Sequence, residues 1–276
     1  MTASDTRLPL RRAVLIGVTG RMGCALLRAA PGFPRLIVIG AIASPASLAL
    51  GRDAGQVAGM GTVNLTVTSD LPRALAQADV ALDFSSASAA AENLAACRAA
   101  GKPLLLGTTG FGDALERELA AAARDIPLLV AANTSLGAAL LTGLVRAAAR
   151  ALPASFDIDV LDLHHRLKQD APSGTALALA AAAAEERGLA PPAGGNPTRP
   201  GPRGEGEIGF AALRAGDLVG EHTVFFTGAG EELILTHRAR DRAVFARGAL
   251  AAALWLASQP PGRYGMREFL GLKTGT

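Results

Sequence analysis

The sequence predicts an α/β fold: a doubly wound parallel sheet, followed by a smaller α+β domain with a mixed or antiparallel sheet. Three observations carry this. Short apolar runs alternate with helix-forming stretches from residue 13 to residue 152, which is the pattern of βαβ units. After Pro153 the pattern becomes several strand-like runs with few helices between them, as in antiparallel or mixed sheets. Helix character returns over Ala243–Leu256, which suggests that the chain comes back to the first domain. The expected division is therefore 1–135 with 243–276 in one domain and 136–242 in the other.

The elements follow in order. Ala13–Val18 is a continuous apolar run, the signature of a buried parallel strand. Gly20 to Ala30 reads as a helix stopped by Pro31-Gly32. Strands are expected over Leu36–Ala43, Val63–Val67, Ala78–Phe84, Pro103–Leu106 and Leu128–Ala131. Helices are expected over Ser88–Ala100, Asp113–Arg124 and Leu136–Leu152. In the second domain, Ile158–His164, Glu207–Leu213, Thr223–Thr227 and Leu233–Arg240 read as strands. A helix capped by Ser173 runs through Glu185-Glu186-Arg187 to Gly188, a C-cap signal. Residues 191–206 are rich in Pro and Gly and read as a mobile loop.

Composition excludes several classes. Half the residues are apolar and the net charge is only +3, with basic residues scattered and one Trp and one Tyr in the chain. A nucleic-acid surface wants clustered cations and stacking aromatics, so small anionic ligands fit better. The two cysteines, Cys24 and Cys97, are far apart and form neither a zinc motif nor a disulfide framework. No metal is expected, and a reduced cytoplasmic protein is the default. Arg11-Arg12 before an apolar run resembles a signal-peptide start, but the run breaks at Thr19-Gly20-Arg21. Residues 126–145 are uncharged and as long as a membrane span, yet Pro127, Asn133, Thr134, Ser135 and Gly137 make them a strand, a polar turn and a helix.

A nucleotide site is indicated at Gly17-Val18-Thr19-Gly20-Arg21-Met22-Gly23, which follows the first strand and opens a helix. In such a dinucleotide-binding (Rossmann) turn, the first glycine permits the tight turn, the second lets backbone approach a pyrophosphate, and the third permits close helix–strand packing. The helix N-terminus adds favourable positive potential. The spacing is GxxGxxG rather than the strict GxGxxG, because Thr19 takes the middle position. Asp83-Phe84-Ser85, Gly107-Thr108-Thr109-Gly110-Phe111 and Ala132-Asn133-Thr134 follow later strands and would share the ligand-binding edge of the sheet. Residues 41–51 contain no acid to hold a ribose 2′-hydroxyl. A 2′-phosphate is then not repelled, and Arg52 could attract it. NADPH is expected to be accepted at least as well as NADH.

The second site lies in Asp162-Leu-His-His-Arg-Leu-Lys-Gln-Asp-Ala-Pro-Ser-Gly-Thr175. His164 and Lys168 are four apart, which places them on one side of either a strand or a helix. The chain has 27 Lys and Arg, of which only Lys102, Lys168 and Lys273 are lysines. Lysine can release a proton where arginine cannot, so His164 and Lys168 are candidate proton donors. Ser173, Gly174 and Thr175 open a helix whose N–H groups can hold a carboxylate. Adjacent histidines and a lysine can equally be surface charges, and the turn a plain helix cap. Asp162 and Asp170 could orient the cluster or cap turns. His222 and His237 read as structural, and Arg242 as a weak candidate for a carboxylate contact or a hinge.

The His-His-x-x-Lys…Pro-Ser-Gly-Thr-Ala string resembles the signature of the 4-hydroxy-tetrahydrodipicolinate (dihydrodipicolinate) reductase family of lysine and diaminopimelate synthesis. The resemblance extends to Gly20-Arg21-Met22-Gly23, Gly107–Phe111, Ala131-Ala132-Asn133, Arg214–Asp217, Gly220–Thr223 and Ala253–Leu256. It implies an NADPH- or NADH-dependent reduction of a cyclic dicarboxylate. His164 matches the family's catalytic proton donor, and Lys168 its second donor. His165, Lys168, Ser173, Gly174 and Thr175 match substrate contacts. Gly17, Val18, Thr19, Gly20, Arg21, Met22, Gly107, Thr108, Thr109, Ala131, Ala132, Asn133 and Thr134 match cofactor contacts. Many members carry Glu-Arg after the second strand, which is missing here. Members are typically homotetramers associating through the substrate-domain sheets. Two alternatives stand beside this: a similarly built reductase of another imine or oxo acid, and a non-catalytic dinucleotide sensor, against which the pairing of His164 with Lys168 argues.

Overall fold

The structure is a computed structural model that describes residues 9–190, 201–204 and 206–272. Residues 191–200 and 205 of the loop expected at 191–206 lie outside the described residues, as does Lys273. The chain divides into two compact units, residues 1–135 with 243–276 and residues 136–242.

The first unit begins β1 (Arg11–Ile16), α1 (Arg21–Ala29), a 3-10 turn over Ala30–Gly32, β2 (Leu36–Ile42), α2 (Ala54–Val57), β3 (Val67–Thr68) and α3 (Leu71–Ala76). It continues β4 (Val80–Asp83), α4 (Ala87–Ala99), β5 (Leu104–Leu106), α5 (Asp113–Ala122) and β6 (Pro127–Val130). The second unit holds α6 (Leu136–Ala151), β7 (Asp157–His164), α7 (Gly174–Arg187), β8 (Ile208–Arg214), β9 (Gly220–Gly228) and β10 (Glu231–Ala239). The chain then completes the first unit with α8 (Ala243–Leu256), β11 (Gly262–Tyr264) and α9 (Met266–Phe269).

The first unit's strands form one sheet in the order β11-β6-β5-β4-β1-β2-β3, with every adjacent pair parallel. Order reverses at β1, so the loops after β1 and β4 meet at a topological switch point, where ligands bind in such sheets. The strands are short and apolar because both faces are covered. Leu15, Leu82, Leu104, Leu105, Leu106, Leu128 and Leu129 are all fully buried. Cys97 of α4 joins the same core, and burial pushes its thiol pKa up to about 12.

Several sequence expectations are corrected here. The third strand is not Val63–Val67 but the two-residue β3, because Asp53 claims the backbone N–H groups of Val63 and Leu65. The first strand starts earlier and ends at Ile16, where Gly17 turns with φ of 81°. Helix α3 and strand β11 were not expected. Asp70 caps α3 by accepting from Arg73 N, with Pro72 in its first turn, whereas β11 is an edge strand with no apolar run.

The second unit packs α6 and α7 on a four-stranded mixed sheet of order β10-β9-β7-β8. β7 runs parallel to β8 and antiparallel to β9. Leu141, Val145, Ile158, Val160, Leu179, Val224 and Phe226 form its core. The 126–145 stretch resolves into β6, a turn and the start of α6. Among the described residues, no helix is long and apolar enough to cross a membrane.

Candidate active site

The glycine-rich turn links β1 to α1. Gly17 N and Val18 N both donate to Ile42 O, and Gly20 N donates to Gly17 O, which folds the turn tightly. A Cβ at Gly17 would lie 2.7 Å from Phe84 O, and one at Gly23 would lie 2.3 Å from Gly17 O. Neither position has room for a side chain. Gly20 is the N-cap of α1 and makes no side-chain cap, so the first N–H groups of that helix lack intrahelical partners. Thr19, Gly20 and Arg21 are exposed and Met22 is half-buried, whereas Val18 is fully buried. Val18 therefore braces the turn and presents no side chain to a ligand.

The loops after β4, β5 and β6 leave the same edge of the sheet as this turn. Gly107 lies so near Phe84 that a Cβ there would sit 2.0 Å from its ring. Thr108 is buried, and its Oγ1 has no partner among the described residues. Thr109 and Ala132 are exposed, and Asn133 Oδ1 accepts from Ser135 N. Ala131 is buried and donates its N–H to Leu106 O. Thr134 departs from the sequence expectation of a ligand contact, since it is buried with its hydroxyl donated to Phe245 O at 2.7 Å. A bare backbone turn at a helix N-terminus, flanked by an unpartnered threonine hydroxyl, fits the pyrophosphate and amide groups of NADPH or NADH.

The first acid beyond residues 41–51 is Asp53. Its carboxylate accepts from the backbone N–H groups of Gly55, Gln56, Val63 and Leu65. It is thereby committed to the fold, while Arg52 beside it is exposed.

In the second unit, His164 closes β7 and Asp162 lies two residues before it, on the same face of the strand. Asp162 is completely buried. Its Oδ1 is 2.8 Å from His164 Nδ1 and 3.4 Å from His222 Nε2. Its Oδ2 accepts from Ser173 N at 2.8 Å and from Arg214 Nη2 at 2.9 Å. Burial alone would raise the Asp162 pKa, but hydrogen bonding to His164, His222, Arg214 and Ser173 N outweighs it and holds the carboxyl far below the usual carboxylate range. The His164 and His222 rings meet edge to face at 5.2 Å. His222 is thus part of the cluster rather than a remote structural residue.

The sequence expectation that His164 and Lys168 share one face of a regular element does not hold. The chain leaves β7 at His164, and residues 165–168 form a turn closed by Lys168 N donating to His165 O. Lys168 Nζ instead pairs with Asp170 at 2.7 Å. His165 lies among cations: its pKa is lowered first by burial and then by the positive field of Arg242, His164, Lys168 and Arg214. The gathering of these cations is the most direct sign of an anion site.

The Pro-Ser-Gly-Thr turn begins after a cis Ala171–Pro172 bond. Ser173 caps α7 by accepting from Ala176 N, and its Oγ also lies 3.0 Å from His222 Nε2. With Ser173 N given to Asp162, both polar groups of Ser173 are committed within the protein. Gly174 is exposed and stands at the first helical position, where its N–H has no intrahelical partner. Arg214 stands in the Arg214–Asp217 stretch of the family resemblance with no role assigned, and the β7–β8 register sets it opposite His164. His237 packs on the start of α6, where a Cβ at Gly137 would lie 2.5 Å from its ring.

Asp162, His164 and His222 also fall within 4.8 Å of one another, as metal ligands do. The Arg214 guanidinium on the same carboxylate and the Ser173 contact to His222 suit a hydrogen-bond network better than a cation.

Comparison with known proteins gives a consistent result. Residues 11–134 match the family model described as dihydrodipicolinate reductase, N-terminus, and residues 137–270 the model for its C-terminus. A 4-hydroxy-tetrahydrodipicolinate reductase from Anaeromyxobacter dehalogenans is 45% identical over 96% of this chain and 100% of its own length. One from Myxococcus xanthus is 44% identical over 95% of this chain and 98% of its own. Among solved structures, the dipicolinate-bound dihydrodipicolinate reductase from Paenisporosarcina sp. TG-14 shares the fold, with a TM-score of 0.75 and 21% identity over 94% of this chain and 98% of that one. With both halves of the chain matched and full-length relatives near 45% identity, the chain belongs to the 4-hydroxy-tetrahydrodipicolinate reductase family of NAD(P)H-dependent oxidoreductases.

Proposed function

We propose that this chain reduces a small cyclic dicarboxylate to tetrahydrodipicolinate with NADPH or NADH, in the lysine and diaminopimelate route of the cytoplasm. The observation that carries the reading is the cluster of cations around His165, close to His164, Lys168 and the Ser173 turn, in a chain that also carries a bare glycine turn on a parallel sheet. The unit of residues 1–135 and 243–276 holds the nucleotide, and residues 136–242 hold the substrate and the oligomer contacts. The nicotinamide supplies hydride when bound.

The protein's own residues do the rest. Gly17, Val18, Thr19, Gly20, Arg21 and Met22 form the pyrophosphate turn. Gly107, Thr108, Thr109 and Ala131, Ala132, Asn133 line the remaining edge of the nucleotide site, with Thr134 bracing it from within the fold. Ser173 holds its turn in place while Gly174 and Thr175 offer N–H groups to a substrate carboxylate, with His165 and Lys168 adding charge. Reduction of the conjugated imine adds one hydride and one proton. His164 or Lys168 delivers the proton as the ring becomes electron-rich. Lack of an acid at 41–51, with Asp53 committed to backbone, supports acceptance of NADPH at least as readily as NADH.

Lys168→Ala tests the assignment. We expect kcat to fall about 10²-fold or more, while the NADPH Kd, read by fluorescence, changes little. A variant that keeps kcat within a few-fold contradicts the role of Lys168.

A further inference from the structure

A histidine that donates a proton has two ring nitrogens, and its surroundings decide which one exchanges. We propose that Asp162 is the positioning residue of this site: its buried carboxylate locks a proton on His164 Nδ1, confines proton exchange to Nε2, and ties that ring to the substrate-binding turn. The inference rests on the assignment of His164 as a proton donor and deepens it.

The geometry supports each part. Asp162 divides its two oxygens between two sets of donors. Oδ2 is saturated by Ser173 N and Arg214 Nη2, neither of which can act as an acceptor. Oδ1 is left to face His164 Nδ1 at 2.8 Å and His222 Nε2 at 3.4 Å. A carboxylate 2.8 Å away favours a proton on His164 Nδ1 over a lone pair there, whereas His222 Nε2, at 3.4 Å, is free to donate to Ser173 Oγ or to accept from it. His222 Nε2 also hydrogen-bonds with Ser173 Oγ, 3.0 Å away. Ser173 is the N-cap of α7. A single carboxylate therefore holds the donor ring directly, and the helix cap through Ser173 N and His222. Gly220, directly across from the end of β7, leaves the far side of the ring clear: a Cβ there would lie 2.9 Å from His164 Nε2.

The same division of oxygens makes Asp162→Asn unusually informative. Ser173 N and Arg214 are both donors, so the amide oxygen must turn towards them. The amide NH2 then faces His164 Nδ1 and demands an acceptor there. Neutral His164 is forced to carry its proton on Nε2 instead.

The chain has only four histidines, so ring ¹⁵N spectra of histidine-labelled protein are tractable, with His164→Gln for assignment. In the wild-type protein, neutral His164 is expected as the Nδ1–H tautomer. In Asp162→Asn it is expected as Nε2–H, with kcat reduced about 10²-fold and the NADPH Kd unchanged. An Nε2–H tautomer in the wild-type protein overturns the proposal by itself, even if the variant does not fold. So does an Asp162→Asn enzyme with near-normal kcat alongside an inactive His164→Gln. A fully active His164→Gln instead overturns the proton-donor reading on which the proposal stands.

Discussion

At Asp162 two effects act in opposite directions. Burial disfavours the charge, and hydrogen bonds from His164, His222, Arg214 and Ser173 N favour it more strongly. The folded pKa therefore lies below the unfolded carboxylate value of about 3.9. A depressed carboxylate contributes stability that is present above the unfolded pKa and lost as pH falls towards the folded one. Wild-type stability is expected to drop more steeply than that of Asp162→Asn as pH falls from about 5 to about 2. The gap between their melting temperatures should then narrow across that window; a constant gap would mean that Asp162 is not ionised in the fold. Lys168 shows the complementary logic. Its partner Asp170 is exposed, so the pair is weakly held and the ammonium can turn to a substrate carboxylate at small cost.

At the scale of elements, the β1 turn and α1 make one device. Gly23 lets the helix sit on the turn, because a Cβ would fall 2.3 Å from Gly17 O and 2.5 Å from Val18 Cα, both backbone atoms that cannot swing aside. Gly23→Ala is expected to weaken NADPH binding by at least about tenfold and to destabilise the fold by about 1–3 kcal/mol, the usual cost of overpacking, as read by fluorescence titration and thermal melting. Unchanged values for both would show that the turn is looser than described. Much of this was legible in the sequence. Apolar runs announced the parallel strands, and Ser173 and Gly188 marked the two ends of α7. Asp162 and His164, two apart on one strand, also gave a readable signal that they share a face. What stayed hidden was non-local or irregular. Arg214 reaches the site only through the β7–β8 register. Lys168 sits in a turn, to which helix or strand periodicity does not apply. β11 is an edge strand of three residues with no apolar alternation.

At the scale of the molecule, the second unit leaves apolar side chains uncovered on its sheet. Leu213 and Ile234 are exposed on the face opposite that of Phe210 and Leu235, which pack on the core. Such a face fits the homotetramer, associating through the substrate-domain sheets, that the family resemblance implies. Light scattering should give four times the chain mass, and Ile234→Lys should lower it; a monomeric wild-type protein would contradict the assembly. Reduction of the cyclic dicarboxylate is read as the fall in 340 nm absorbance of NADPH, and then NADH, with freshly generated substrate. Rapid oxidation is predicted, with kcat/KM for NADPH at least equal to that for NADH. No oxidation with either, by protein shown to bind both, would contradict it.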